Sequence, residues 1–423
     1  MGLAVLHLND LNLFIQTDKG QTYSEVGYAL LTDKGIKTGD SARASTWLQP
    51  QRAYNQFWDQ LNQTPFPVKH TYARHNADIA YAQLKHLLQS VNNPEQLILA
   101  IPGHIKDQQL SLLLGLLKAL EVEVIGTIDS AVVAANAYPE AQYIVELHLY
   151  QTVITAIDRK QSEIKIIEQR CLPDVGILSL HNQVAGLISQ QLIDQHRYDP
   201  LHSSATEQQI YDLIPSWLQA LNQESAISVQ IESPQGELST VIKKQSLAKL
   251  FMQRLDSLSS HLKGMPESVF FCHDAGFIPN LISDFSGCCV LDQSIIFKNC
   301  LQFAHQFPKD RIERITQIYA TQGTDDSSKL PLNKQQISAT HLLYNNTAYS
   351  LHRPISISRQ EKQLVISSNI DKTADLVIEQ KGHQLQATSQ HDKLNVMLPS
   401  TLDPGQKLQI DDQFLILIGV NDG

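Results

Sequence analysis

The residues best equipped for chemistry in this 423-residue chain are histidines and acids. His7, Glu146, His148 and the adjacent pair His273 and Asp274 are of the types that, where two or three histidines meet a carboxylate, can ligate zinc or a similar metal, although residue type alone does not bring them together. No local spacing such as His-x3-His gathers them on one helix face. With sixteen histidines scattered along the chain, the expected role is filling space by hydrogen bonding, with no metal bound. A serine hydrolase has no footing either, since the Gly-x-Ser-x-Gly turn that exposes a nucleophile is absent. The five cysteines (Cys171, Cys272, Cys288, Cys289 and Cys300) are odd in number and lack Cys-x2-Cys spacing. Buried, reduced thiols are expected.

The elements that would position such side chains are clearest between Leu97 and Tyr138. Leu97-Ile98-Leu99-Ala100-Ile101 is a short apolar strand that stops at Pro102-Gly103. Lys106-Asp107-Gln108-Gln109 opens a helix, and Leu110, Leu113, Leu114 and Leu117 recur at the spacing of one buried helix face. A second strand, Val122 to Ile128, leads into a small-residue helix from Asp129 to Tyr138. This βαβ unit predicts parallel strands with a right-handed crossover.

In order and wording, the unit resembles the nucleotide-binding domain of the seventy-kilodalton heat-shock proteins, a member of the actin-like ATPase fold. That family has a strand ending Val-Pro-Ala, a helix opening Asn-Asp-Ala-Gln, and then Ile-Asn-Glu-Pro-Thr-Ala-Ala-Ala-Leu-Ala-Tyr. This chain has Ile101-Pro102-Gly103, Lys106-Asp107-Gln108-Gln109 and Ile128-Asp129-Ser130-Ala131-Val132-Val133-Ala134-Ala135-Asn136-Ala137-Tyr138. The resemblance spans about residues 3 to 307. It implies a two-lobed α/β domain over residues 1–308 with parallel and mixed sheets and an interlobe cleft for ATP and magnesium. Val5 to Leu13 then corresponds to the first phosphate hairpin, and Tyr143 to Tyr150 to the second. Gly39-Asp40-Ser41-Ala42-Arg43 matches the family's Gly-Asp-Ala-Ala-Lys, and Val269 to Pro279 its adenosine loop. His7, Asn9, Arg43, Glu146, His148, His273 and Asp274 are therefore implied to line the cleft.

The departures from the family weigh more. Phosphate loops use glycine because the backbone must approach oxygen atoms closely. Here His7 replaces the catalytic aspartate, Asn9 a glycine, Glu146 the metal-side aspartate, and His148, Leu149 and Tyr150 the triple glycine. His273 and Asp274 stand for two glycines, Ser130 for the connecting glutamate and Arg43 for the lysine. A pseudo-ATPase is expected, with the fold kept, hydrolysis lost and no nucleotide cofactor.

Beyond residue 308 the character changes. Lys309 to Thr321 reads as a helix, and residues 309–338 as helix plus polar linker. From 339 to 423, alternating stretches such as Pro354-Ile355-Ser356-Ile357-Ser358 predict an all-β sandwich. Its strand rhythm resembles a forkhead-associated domain, with Ile357-Ser358-Arg359 in place of Ile-Gly-Arg. Arg359 is then the implied phosphate ligand, but the Ser-x-x-His loop and the Asn-Gly turn that share the task are missing. A shape-reading protein-interaction module is expected. Ser45 to Leu61, with Trp47, Tyr54, Phe57 and Trp58, reads as an amphipathic helix with core aromatics.

Net charge of −10 argues against nucleic acid or an acidic membrane surface as a general partner. No apolar run reaches a membrane span of roughly 18 to 20 residues. Asn9 and Asp10 interrupt the run from Leu3, so no leader is read and a cytoplasmic location is expected. The expected function is a non-catalytic scaffold for protein partners. The alternative is an ATP-binding conformational switch or a chaperone-like protein that binds nucleotide weakly.

Overall fold

The apolar runs of the first three hundred residues become the inner strands of two mixed sheets. The computed structural model describes residues 2–173, 175–234, 236–251, 258, 269–271, 289–290, 294–308, 311–319, 341–344, 347–351, 354–360, 363–367, 374–381, 384–389, 396–397, 407–411 and 413–418. The chain divides into two compact units, Met1–Gln322 and Gly323–Gly423.

In the first unit, β1 (Leu3–His7), β2 (Leu13–Thr17) and β3 (Thr22–Glu25) form an antiparallel meander. β4 (Ala29–Thr32), β5 (Gly35–Thr38) and β6 (Ala53–Tyr54) make a small antiparallel sheet, and the one-turn α1 (Asp40–Arg43) follows β5. After α2 (Asn76–Ser90) come β7 (Gln96–Ile101), α3 (Asp107–Ala119), β8 (Glu123–Asp129) and α4 (Ser130–Ala137). β7 pairs parallel with β8, as the βαβ pattern predicts, and its other edge pairs parallel with β1. Leu97 to Ile101 are all buried, which suits a strand covered on both faces. α3 turns Leu110, Leu113 and Leu117 inward, and α4 buries every residue from Ser130 to Ala135.

A second meander follows: β9 (Tyr143–Leu147), β10 (Gln151–Lys160) and β11 (Glu163–Pro173). Next come α5 (Ile177–His196), α6 (Ser204–Gln223) and the hairpin β12 (Ala226–Ser233) and β13 (Gly236–Lys243), which share one apolar cluster. β14 (Val269–Phe271) then adds parallel to β9, and β15 (Cys289–Val290) parallel to β14. α7 (Ser294–Phe303) packs Cys300 and Phe303 with Val133 of α4. The sheets repeat one wiring, β3-β2-β1-β7-β8 and β11-β10-β9-β14-β15. In each, a three-strand meander is extended by a fourth strand parallel to the first and a fifth parallel to the fourth.

Two expected helices are corrected. Within 309–321 the described residues form β16 (Arg314–Ile315), parallel to β8, and β17 (Gln317–Tyr319), antiparallel to β11. Open strand edges carry unpaired backbone groups, and pairing them outweighs the weak helix preference of a mixed-charge run. Residues 311–319 thus belong to the first unit, not to a linker. Ser45 to Leu61 is turns around β6 rather than a helix. Pro50 cannot donate to a helix, and the aromatics pack separately. Trp47 stacks on Tyr211 at 3.8 Å, while Trp58 Nε1 donates to Gln83 Oε1 at 2.7 Å. One thiol departs from expectation as well: Cys171 is exposed on β11, whereas Cys300 is buried. Cys272 and Cys288 lie outside the described residues.

The second unit contains β18 (His341–Tyr344), β19 (Thr347–Ser350), β20 (Ile355–Gln360), β21 (Gln363–Ser367), β22 (Leu376–Lys381), β23 (Gln384–Ser389), β24 (Val396–Met397), β25 (Lys407–Ile410) and β26 (Gln413–Ile418). They form two antiparallel sheets, β19-β18-β26-β25-β24 and β21-β20-β22-β23. Leu342, Leu408 and Leu417 from one sheet share a cluster with Ile355, Ile357 and Ile378 from the other. The alternation around Ile355 and Ile357 is therefore the core face of β20.

Candidate functional site

The tips of the two meanders' first hairpins meet each other. His7 closes β1 and Leu147 closes β9, and residues 8–12 and 148–150 form the tips. Asn9 Nδ2 donates to the Leu147 carbonyl at 3.0 Å, and Asn9 Oδ1 accepts the Leu11 N–H at 3.0 Å. Asp10 Oδ1 accepts the Leu149 N–H at 3.0 Å and lies 3.2 Å from His148 Nδ1. Asn9, Asp10 and His148 are all buried. Close backbone approach on both sides fixes the tips. A Cβ on Gly27 would lie 2.7 Å from the Asp10 carbonyl oxygen, and one on Gly176 would lie 2.4 Å from that of Leu149.

The start of α5 is also occupied. Its first amides, Ile177 N–H and Leu178 N–H, donate to the carbonyls of His148 and Leu149 at 2.9 and 3.0 Å. Helix-start amides left free by the helix are where anions bind. Here the second hairpin tip supplies the acceptors.

Behind the tips lies a second layer of buried polar groups. Ser130 Oγ donates to Glu146 Oε1 at 2.5 Å, and His7 Nε2 stands 3.8 Å from the same oxygen, beyond hydrogen-bond reach. Glu146 Oε2 and both ring nitrogens of His7 are buried without a hydrogen-bond partner. The ring of His104, at the end of β7, meets that of His148 edge-on at 4.5 Å.

Electrostatics follow from this packing. Burial alone would raise the Asp10 carboxyl, but the hydrogen bond and charge of His148, with the Leu149 N–H, outweigh it and hold the group below its ordinary value. Glu146 is likewise raised by burial, yet His7, the charge of His148 and Ser130 bring it below its ordinary value. Burial pushes the His104 imidazole down to about 3, and the neighbouring His148 charge adds to the shift. At neutral pH the cluster thus holds two carboxylates and a neutral His104.

A third set ties β8 to β16. Asp129 Oδ1 caps α4 through the Ala131 N–H at 3.0 Å, and Oδ2 accepts from Gln169 at 2.9 Å and from Arg314. Arg314 also donates to the carbonyls of Ile105 and Pro102, at 2.9 and 3.0 Å. Both Asp129 oxygens are therefore satisfied.

Of the residues singled out in the sequence, His7, Asn9, Glu146 and His148 come together. Arg43 is engaged elsewhere, with its guanidinium 3.2 Å from Asp40 and its carbonyl accepting from Gln208. His273 and Asp274 lie outside the described residues. In the second unit, Arg359 is neutralised by Asp411 at 2.6 Å, and its N–H donates to Asp375 at 2.9 Å. Asp10, His104, Asp129 and Arg314 were not among the sequence candidates. Among the described residues, no group of three His, Cys, Asp or Glu has a geometry that could hold a metal ion. No helix of the described residues is long and apolar enough to cross a membrane. No protein-family model matches this chain, and no curated protein matches it significantly.

Proposed function

We propose that the chain is a non-catalytic scaffold for protein partners, built on a two-lobed actin-like ATPase domain whose nucleotide cleft has been closed. The observation that carries this reading is the direct bonding of the two hairpin tips, Asn9 to Leu147 and Asp10 to His148 and Leu149. Donors that would face phosphate are spent on the protein itself. The repeated five-strand wiring supports the two-lobed reading. The second unit acts in this proposal as a forkhead-associated-like module that reads shape, since Asp411 already occupies the Arg359 guanidinium.

A second reading, a weakly nucleotide-responsive switch, draws on the unpartnered His7 nitrogens and Glu146 Oε2, because such buried groups call for an occupant. Calorimetric titration of the metal-stripped chain with magnesium ATP, and then ADP, separates the two. The scaffold gives no saturable heat and no thermal shift at millimolar nucleotide. Saturable binding at micromolar concentration would overturn it in favour of the switch.

A further inference from the structure

We propose that the groove between α3, residues 304–308 and residues 311–312 binds a small amphipathic anion, an alkyl or aryl carboxylate free in solution. The groove encloses about 720 Å³, inside the roughly 300–1,000 Å³ typical of small-molecule sites. Leu114, Val124, Ile125, Phe307 and Ile312 give it apolar walls. Ile312 remains 45 % exposed there, a large apolar side chain left facing solvent.

Two glycines shape the space. A Cβ on Gly126 would fall 2.3 Å from the Phe307 ring, so the ring lies directly on β8 backbone and forms one wall. Gly115 sits inside α3, exposed, with nothing within 4 Å of where its Cβ would be. A glycine inside a helix destabilises it relative to alanine, and no packing constraint asks for one here. What its missing side chain leaves open is the groove.

Charge selects the occupant. Lys118 and Arg311 stand at the lining, and Lys118 has no ion-pair partner among the described residues. Arg311 pairs with Glu313 at 2.9 Å but stays 67 % exposed. The acid among the lining residues, Glu123, already accepts from Gln96 at 2.8 Å. An apolar body on the walls with an acidic head at Lys118 and Arg311 satisfies both. None of these residues belongs to the hairpin-tip cluster, so the inference stands apart from the scaffold reading.

The test uses the full chain with the fluorescent dye 8-anilinonaphthalene-1-sulfonate, displaced by decanoate and by decanol. One saturable dye site is expected, with decanoate displacing at about tenfold lower concentration than decanol, the size of one charge contact. Gly115→Leu fills the groove and abolishes the site. Lys118→Glu, on an exposed helix position, weakens decanoate by about tenfold or more and serves if the leucine variant fails to fold. Absence of saturable dye binding would overturn the proposal. So would equal displacement by decanol, or dye binding that survives in a folded Gly115→Leu chain.

Discussion

Replacing Arg314 by methionine lowers the stability of the first unit by about 3–5 kcal/mol, the cost of breaking a buried ion pair from one side. Asp129 is fully buried and the Arg314 side chain is 15 % exposed. Without the guanidinium, Asp129 Oδ2 keeps only the Gln169 donor, and the Pro102 and Ile105 carbonyls each lose a donor. Methionine keeps the apolar stem of the side chain, so the loss reports the head group rather than a cavity. All three tryptophans (Trp47, Trp58 and Trp217) lie in the first unit, so urea unfolding followed by their fluorescence isolates it. Adding Asp129→Asn removes the stranded charge while keeping a helix cap, and the double variant regains part of the loss. A single-variant loss below about 1 kcal/mol, the range of an exposed pair, would falsify the buried-pair account.

Why Arg314 escaped the sequence reading is a matter of separation along the chain. Its partner lies 185 residues away, and the run around it, Lys309 to Glu313, carries only a local charge pattern that suits a helix. Strand pairing at two open edges decided its structure, and such edges exist only once both sheets have formed. By contrast, β7, α3, β8 and α4 were legible because each announces itself within a few residues. An apolar run, a 3.6-residue leucine period and a block of small residues need no distant partner. The second unit was legible for the same reason, since a period of two around Ile355 and Ile357 marks a strand face by itself. The hairpin-tip cluster sits between these cases. His7, Glu146 and His148 were reached only through the resemblance to the heat-shock nucleotide-binding domain, and Asp10, which meets His148 across 138 residues, leaves no periodic trace. His104 did carry a signal, as it follows Pro102-Gly103 at the carboxyl end of a parallel strand, where sites in such sheets collect.

Between pH 7 and pH 5 the first unit loses on the order of 2–4 kcal/mol of stability, and two histidines account for most of it. Burial lowers His104 from 6.5 to about 3, with His148 and Arg314 adding to the shift and Asp10 and Glu146 opposing it. Burial also lowers His181 from 6.5 to about 4, helped by the Arg43 charge. In this window the unfolded chain protonates both rings while the folded chain keeps them neutral. The unfolded state binds more protons, so stability falls as pH falls, by up to about 1.4 kcal/mol per pH unit for each ring. Both residues keep some surface exposure, which is why the range starts at half the full value. Carboxylates act in a different window. Asp10 and Glu146 lie below their ordinary values of 3.8 and 4.5, so their contribution is intact above those values and fades only as pH drops beneath them. The urea midpoint measured at pH 7, 6 and 5 should therefore slope, and His104→Gln and His181→Gln should each remove about half of the slope. A midpoint flat from pH 7 to 5 in the parent chain would rule out two neutral buried rings. A slope that persists in the double variant would assign the acid sensitivity to groups other than these two rings.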